Sequence, residues 1–345
     1  MKSQSQIQSP PRQDDVIQHA LLPMLSLSMQ TAACHLRSLR WAERFGLLPT
    51  RKAFLKAAQI QVDELAQVTY PTRDPIVAQI CTDVLLWFFL ADDQFDERVC
   101  GWLPDQMNAV AARFMAVLQA GDAQQATCPL SRALLDLRER LLQRMPRSWL
   151  LRFSSNMRLY LLGCIQESVN RANGVTPSRE EYRGIRRASV GTYPCFDIIE
   201  LTLGQPISAA LDRDPRMAEL RDVATDIIAW VNDIVSFRKE SAFHDPHNLI
   251  SVLMAEQHLD TDQATQAAHA LIRLRVTDWE RLQGQAQSDW QDAGAMAYID
   301  GLRAWIDGVQ SWSYRSRRYS ADYLQLSQDA KYELLANGMT SHASL

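Results

Sequence analysis

Four carboxylates fall within six positions, at Asp92, Asp93, Asp96 and Glu97, directly after an unbroken apolar run from Val84 to Ala91. On a helix, Asp92 and Asp96 share a face one turn apart. Like charges at that spacing repel unless a cation sits between them. A hard divalent ion such as Mg²⁺, held by one or two carboxylates together with phosphate oxygens, answers that need. A greasy wall ending at such a rim suits a substrate with an apolar body and a diphosphate head. The competing reading is a solvated acidic end on a core helix. The apolar run is too short to span a bilayer, which takes roughly 20 residues.

A second candidate set is Asn232, Ser236 and Glu240. At i, i+4 and i+8 these fall within an arc of roughly 80° on one helix. An amide oxygen, a hydroxyl and a carboxylate in one stripe form an all-oxygen ligand set suited to Mg²⁺. An ordinary polar ladder on a solvated face would have the same spacing.

The elements that must carry these residues are helical throughout. Gly and Pro number 13 and 14 in 345 residues, about 8% against an average of roughly 12%, so turns are sparse. Helical periodicity covers 16–46, 51–68 and a helix of about 22 residues that opens at Asp74-Pro75, the cap and first turn, and ends at the acidic rim. Further helices are expected at 103–120, 129–143 and 147–172, the last closed by Asn173-Gly174. Ser178 and Glu181 form a capping box for the next, which breaks around Gly191–Pro194. Helices at 214–240, 246–257, 262–290 and 293–325 complete the chain. Neither sustained strand alternation nor an internal repeat is present. The expected organisation is a disordered leader at 1–15, one all-α helical-bundle domain at 16–325 with an apolar pocket opening at an acidic rim, and a polar tail at 326–345. Formal net charge is −4 with no basic block, which argues against nucleic acid as a partner. Six cysteines without CxxC spacing suit reduced thiols in the cytoplasm. No signal peptide or membrane insertion is expected, and the chain is read as a monomer or homodimer.

Taken together, the two acidic elements resemble the class I terpene synthases of the bacterial type. That family pairs DDxx(x)D/E with a downstream NDxxSxxxE, here Asp92-Asp93-Gln94-Phe95-Asp96-Glu97 and Asn232-Asp233 with Ser236, Lys239 and Glu240. The family's pyrophosphate-sensing Arg, 46 positions before the Asn, falls on Arg186. A C-terminal W-x-x-x-S-x-R-Y matches Trp312, Ser316, Arg318 and Tyr319, and His247-Asn248-Leu249 also looks like the family. The matches run from 92 to 319.

The resemblance implies a class I terpenoid synthase bundle, with three Mg²⁺ at the mouth of an apolar pocket. Carried over by position, Asp92 would bind two metals with Asp96 or Glu97 assisting. Asn232, Ser236 and Glu240 would bind the remaining ion. Arg186, Lys239, Arg318 and Tyr319 would grip the diphosphate, and Asp93 would hold a basic side chain near it. Arg187, about 100° around the helix, is expected to tolerate Lys better than Arg186. One departure stands out. The small effector residue four positions after the sensor is Val190 here, with Ser189 at the linker position and Gly191 next, which leaves the assisting carbonyl open. The implied reaction is Mg²⁺-dependent ionisation and cyclisation of an isoprenyl diphosphate, with farnesyl diphosphate as the leading substrate and geranyl or geranylgeranyl diphosphate as alternatives. Phe88, Phe89 and Trp312 are candidate π faces for a carbocation, or plain core packing. A chain-elongating prenyl transferase would carry a second DDxxD, a class II cyclase would need DxDD, and a non-catalytic scaffold would have no use for these spacings.

Overall fold

The structure, a computed structural model, describes residues 29–97, 99–242, 245–329 and 332–335. The expected leader at 1–15 and the start of the first helix lie outside the described residues. Those described contain helices and no strand. In chain order these are α1 (Met29–Arg44), α2 (Arg51–Ile60), α3 (Val62–Thr69), α4 (Pro75–Glu97), α5 (Pro104–Ala120), α6 (Pro129–Leu142), α7 (Arg147–Asn173), α8 (Arg179–Ser189) and α9 (Thr192–Leu203). They are followed by the short α10 (Ala209–Asp212), then α11 (Pro215–Ala242), α12 (Leu249–Gln257), α13 (Thr261–Asp289), α14 (Ala293–Ser313) and α15 (Ala321–Asp329).

Helix α4 starts where Asp74 Oδ1 accepts from the backbone N–H of Ile76 at 2.8 Å and of Val77 at 3.3 Å. This satisfies two of the free donors at a helix start, with Pro75 occupying a position that needs none. Along its length Val84, Leu85, Leu86, Trp87, Leu90 and Ala91 are each 2% exposed or less. The helix is long and apolar enough to cross a membrane, but about two-thirds of that stretch is buried inside the protein. It packs against α1, α3 and α6. Helix α11 packs against α13 and α14, and α7 against α5 and α8. The two acidic elements therefore sit on helices held from several sides, which restricts where their side chains can go.

Helix α7 ends at Gly174, in the left-handed region at φ 63°. Helix α8 opens with the Ser178–Glu181 capping box. The break between α8 and α9 falls at Val190 and Gly191, the latter at φ 73°.

Several boundaries differ from expectation. The helix expected over 51–68 divides into α2 and α3 at Gln61, which sits in the left-handed region at φ 58°. The single helix expected over 293–325 is interrupted by a 3₁₀ turn at Arg317–Tyr319. Ser316 makes that turn: its hydroxyl accepts from Arg318 N and donates to Ile60 O, both at 3.2 Å. The polar tail expected from 326 is also corrected in part. Helix α15 runs to Asp329, and Leu334 is fully buried, its N–H donating to Gln94 Oε1 at 2.8 Å and its carbonyl accepting from Leu130 N at 3.4 Å. An isolated Leu-Leu pair in a polar stretch was too short to register as periodicity.

The seat of α8 depends on a missing side chain. A Cβ on Gly163 of α7 would lie 2.5 Å from Ser189 N and 2.9 Å from Ala188 C. Backbone atoms of a packed helix cannot yield locally, so Gly163→Ala should push α8 away and cost about 1–3 kcal/mol. Urea unfolding would measure this, and an unchanged midpoint would show that α8 can slide.

Candidate active site

A cavity of about 110 Å³ is enclosed by α3, α4, α7, the α8–α9 break, α9, α11, α14 and the 3₁₀ turn. Its walls include Phe88, Phe89, Tyr160, Trp305 and Trp312, and Asp92, Arg186, Asn232 and Tyr319 line the same space. A larger cavity of about 470 Å³ lies against other residues of α3 and α4, among them Asp63, Gln67 and Thr82. It is lined by none of the acidic-element residues, so the smaller cavity is the one with chemistry.

The first element divides by position. Asp92 faces the cavity, its side chain 43% exposed, with Arg318 Nη2 at 3.0 Å from Oδ2. Asp93 is 1% exposed and does not line the cavity. Its carboxylate meets Lys56 Nζ at 2.8 Å, Arg318 Nη2 at 2.8 Å and Lys239 Nζ at 3.3 Å, and accepts from Tyr323 OH at 3.1 Å. Burial alone would raise its pKa, but Arg318, Lys56 and Lys239 outweigh burial and hold it well below the usual carboxylate range. Asp93 thus holds basic side chains, as the resemblance implied, but does so as an internal anchor and not from the cavity wall where a substrate-binding residue was expected. Asp96 goes the other way: burial and then the neighbouring Asp92 push its carboxyl well above the ordinary value. Glu97 is the last residue of α4, and its side chain lies outside the described residues.

The second element repeats the pattern. Asn232 lines the cavity, accepting from Arg186 Nη2 at 2.8 Å and donating to Tyr319 OH at 2.9 Å. Asp233 is fully buried. It receives Arg186 Nε at 2.9 Å, Leu249 N at 2.7 Å and the Tyr182 hydroxyl. Ser236 is 2% exposed and its Oγ has no hydrogen-bond partner among the described residues. Glu240 accepts from Asn248 Nδ2 at 2.8 Å. Its pKa is pushed up to about 7 by burial and then by Asp233.

The remaining expected residues are mixed in placement. Arg318 is nearly buried, stacked over the Phe89 ring at 4.7 Å. Lys239 is buried against Asp93. Phe89 and Trp312 pack together with ring centroids 5.4 Å apart, and Phe88 packs edge-on to Tyr160 at the same distance. At the helix break, Val190 and Gly191 line the cavity. Ser189 does not: it is buried, and its hydroxyl donates to Glu167 on α7. Arg187 is not the free neighbour of Arg186 that its direction suggested. It contacts Asp226 at 2.6 and 2.8 Å and Asp222 at 2.5 Å, in a cluster where Arg183 and Arg275 also reach Asp226. Lysine cannot reproduce that fork, so Arg187→Lys should be damaging rather than tolerated.

Sequence reasoning missed Lys56, Tyr182 and Tyr323. Lys56 left a signal, because it interrupts the buried face formed by Ala53, Ala57 and Ile60 on α2. A lysine on an apolar stripe calls for an acidic partner.

The donor chemistry fits a hard divalent cation. All the groups are oxygens, one of them the orphaned, buried Ser236 Oγ, and Asp92 and Asp96 repel each other across one helical turn. No three His, Cys, Asp or Glu side chains form a ready cage among the described residues, consistent with a set that mixes carboxylates, an amide and a hydroxyl with ligand oxygens.

Glu240 supplies a pH test. Its folded-state value lies above its ordinary 4.5, so the folded protein keeps a proton that the unfolded chain has lost. Stability from this group is full below pH 4.5 and falls as pH rises to about 7. Glu240→Gln removes that fall. Partial exposure screens the effect, so the metal-free variant should exceed the wild type at pH 8 by about 1–2 kcal/mol and match it near pH 4.5. Melting curves at the two pH values would check this, and parallel pH slopes for both proteins would refute it.

The family model described as terpene synthase family 2, C-terminal metal binding, matches residues 83–278, which span both acidic elements. The chain is 36% identical over 244 residues to a (+)-T-muurolol synthase, (2E,6E)-farnesyl diphosphate cyclizing, of Roseiflexus castenholzii, covering 71% of this chain and 74% of that protein. It is 33% identical to the germacrene A synthase of Nostoc punctiforme, covering 84% and 91%. Among solved structures, germacradien-4-ol synthase from Streptomyces citricolor superposes with a TM-score of 0.73 at 25% identity, covering 84% of this chain and 95% of that one. The fold, the metal-binding region and these relatives establish that the chain belongs to the bacterial class I terpene synthases and is a cyclising lyase of that family.

Proposed function

We propose that the protein ionises farnesyl diphosphate and cyclises the resulting cation to a sesquiterpene. The observation that carries this reading is the convergence of Asp92, Arg186, Asn232 and Tyr319, from four separate elements, on one aromatic-walled cavity. The T-muurolol synthase relative is named for farnesyl diphosphate, which supports a fifteen-carbon substrate here. Ligand sites run from roughly 300 Å³, so the walls of this cavity of about 110 Å³ part to admit the hydrocarbon.

Three Mg²⁺ ions, held by Asp92 with Asp96 or Glu97 and by Asn232, Ser236 and Glu240, would neutralise the diphosphate and make it a competent leaving group. Arg186 supplies guanidinium N–H groups to the leaving group, exchanging Asn232 for phosphate while Asp233 keeps hold of its Nε and Nη2. Tyr319 donates its hydroxyl to a phosphate oxygen. Arg318 and Lys239 remain tethered to Asp93 and add positive charge behind the mouth. Once diphosphate departs, the cation lies in a space from which the aromatic walls exclude water. The faces of Phe88, Phe89 and Trp312 stabilise it by roughly 0.5–2 kcal/mol each. The cytoplasm is the proposed compartment, where the buried thiols Cys34, Cys81, Cys128, Cys164 and Cys195 stay free.

Asp92→Ala and Asn232→Ala should each lower kcat/KM by at least about a hundredfold, the scale of losing a metal-orienting group, and leave the helical circular dichroism intact. Diphosphate release in saturating Mg²⁺ measures this, and wild-type turnover in both variants would sink the ligand assignment.

Phe89→Ala and Trp312→Ala should shift the products toward acyclic and early-quenched compounds. Trp312 also donates from Nε1 to Gln61 O at 3.1 Å, so its variant should lose about 3–5 kcal/mol of stability as well. Product analysis beside a melting curve separates the effects, and an unaltered profile with a lowered melting point would return both residues to core packing.

A further inference from the structure

We infer that Arg171 is a positioning residue that ties the ends of the two acidic elements to each other. The inference rests on the reading of those elements as metal ligands. Arg171 lies on α7 and is 3% exposed. Its Nε donates at 3.1 Å to the carbonyl of Gly101, in the turn that follows α4. Its Nη1 meets Asp245 Oδ2 at 2.6 Å, in the segment that follows α11. Asp96 and Glu167 carboxylate oxygens lie 3.9 Å from the same nitrogen. One guanidinium therefore touches what comes after both candidate ligand sets.

Each contact leads on to a candidate ligand. Asp245 donates its N–H to Glu240 O at 3.1 Å, and its Oδ1 accepts from His247 N at 2.9 Å. His247 Nε2 is 2.9 Å from Asn170 Nδ2, back on α7. The next residue, Asn248, donates to both Glu240 Oε2 and Asp233 O at 2.8 Å. On the opposite side, Glu167 takes the Ser189 hydroxyl at the helix break. The buried guanidinium stands between the Asp96 and Asp245 carboxyl groups and so links the end of α4 to the segment that follows α11. Its Nη2 is buried without an acceptor among the described residues, a costly state for a charged donor. The side chain thus has bonding capacity to spare.

Loss of this tether should weaken metal and pyrophosphate binding at both sets. Groups that orient metal ligands typically change affinity by about 10–100-fold. The test uses the full chain, Arg171→Gln and Asp245→Asn, with two readouts: the rise in melting temperature on adding Mg²⁺ and inorganic pyrophosphate, and the Mg²⁺ concentration at half-maximal turnover. Both variants should show a reduced melting rise and a half-saturating Mg²⁺ concentration raised by about tenfold or more. The double variant should be no worse than Arg171→Gln alone, because the two residues act as one contact. Should Arg171→Gln fail to fold, the near-isosteric Asp245→Asn decides the matter by the same readouts. A lowered metal-free melting point with a wild-type melting rise and Mg²⁺ midpoint would reduce Arg171 to packing and overturn the inference. The absence of any melting rise in the wild-type protein would instead overturn the metal-site reading beneath it.

Discussion

Asp93 is the residue on which the arrangement turns. A carboxylate taken this far out of water is tolerable only when its charge is met and its lone pairs are used. Lys56 comes from α2, Lys239 from α11, Arg318 from the 3₁₀ turn and Tyr323 from α15. Four segments distant in sequence are thereby gathered around the end of α4, and two of them carry groups that the proposed chemistry needs. Removing Asp93 would leave three cations buried or nearly so without their common partner, a larger penalty than the loss of a single bond.

The same design recurs at the second element. In both Asp92-Asp93 and Asn232-Asp233, the first residue faces the cavity and the second is buried against cations or hydroxyls. Adjacent helical residues point about 100° apart, so a pair of neighbours can serve a ligand and the protein interior at once. Arg186 belongs to both sides of the second pair, held by Asp233 through Nε and Nη2 and bonded to Asn232 through the same Nη2. It can therefore change partners on the cavity side without losing its anchor.

Much of this could be read from the chain because it obeys short-range rules. Helix starts at Asp74 and Ser178 are capping chemistry confined to a few residues, and the break near Gly191 follows from a residue that accepts positive φ. The cavity-facing residues Asp92 and Asn232 were found through spacing on single helices. What escaped depends on which neighbour a side chain meets. Ser189 turns to Glu167, Arg187 to Asp226, and Leu334 is caught by Gln94. Each partner lies on another helix, at a sequence distance that no periodicity encodes. Lys56 is the intermediate case, since its misfit on an apolar face announced a partner without naming it.

Three residues apart on α4, Asp93 and Asp96 are driven in opposite directions, and that difference defines the resting state. Asp93 is already neutralised by protein cations and stays ionised. Asp96 is buried with Asp92 beside it, and Lys239 and Arg171 do not offset this, so its proton is retained more strongly than in water. Glu240 behaves like Asp96, and Ser236 nearby offers an unused oxygen. The anchoring charges are thus satisfied from within, while the candidate ligands are held at a cost that an external cation would relieve. Interactions left incomplete in the free protein can be completed only on binding, which concentrates the gain from a cation and its diphosphate on closure of the mouth. Binding as proposed would part Arg186 from Asn232 and enlarge the cavity of about 110 Å³. Head-group recognition and the shape of the apolar pocket are coupled through packing, because Phe89 packs under Arg318 and against Trp312, and Trp312 packs against Tyr319.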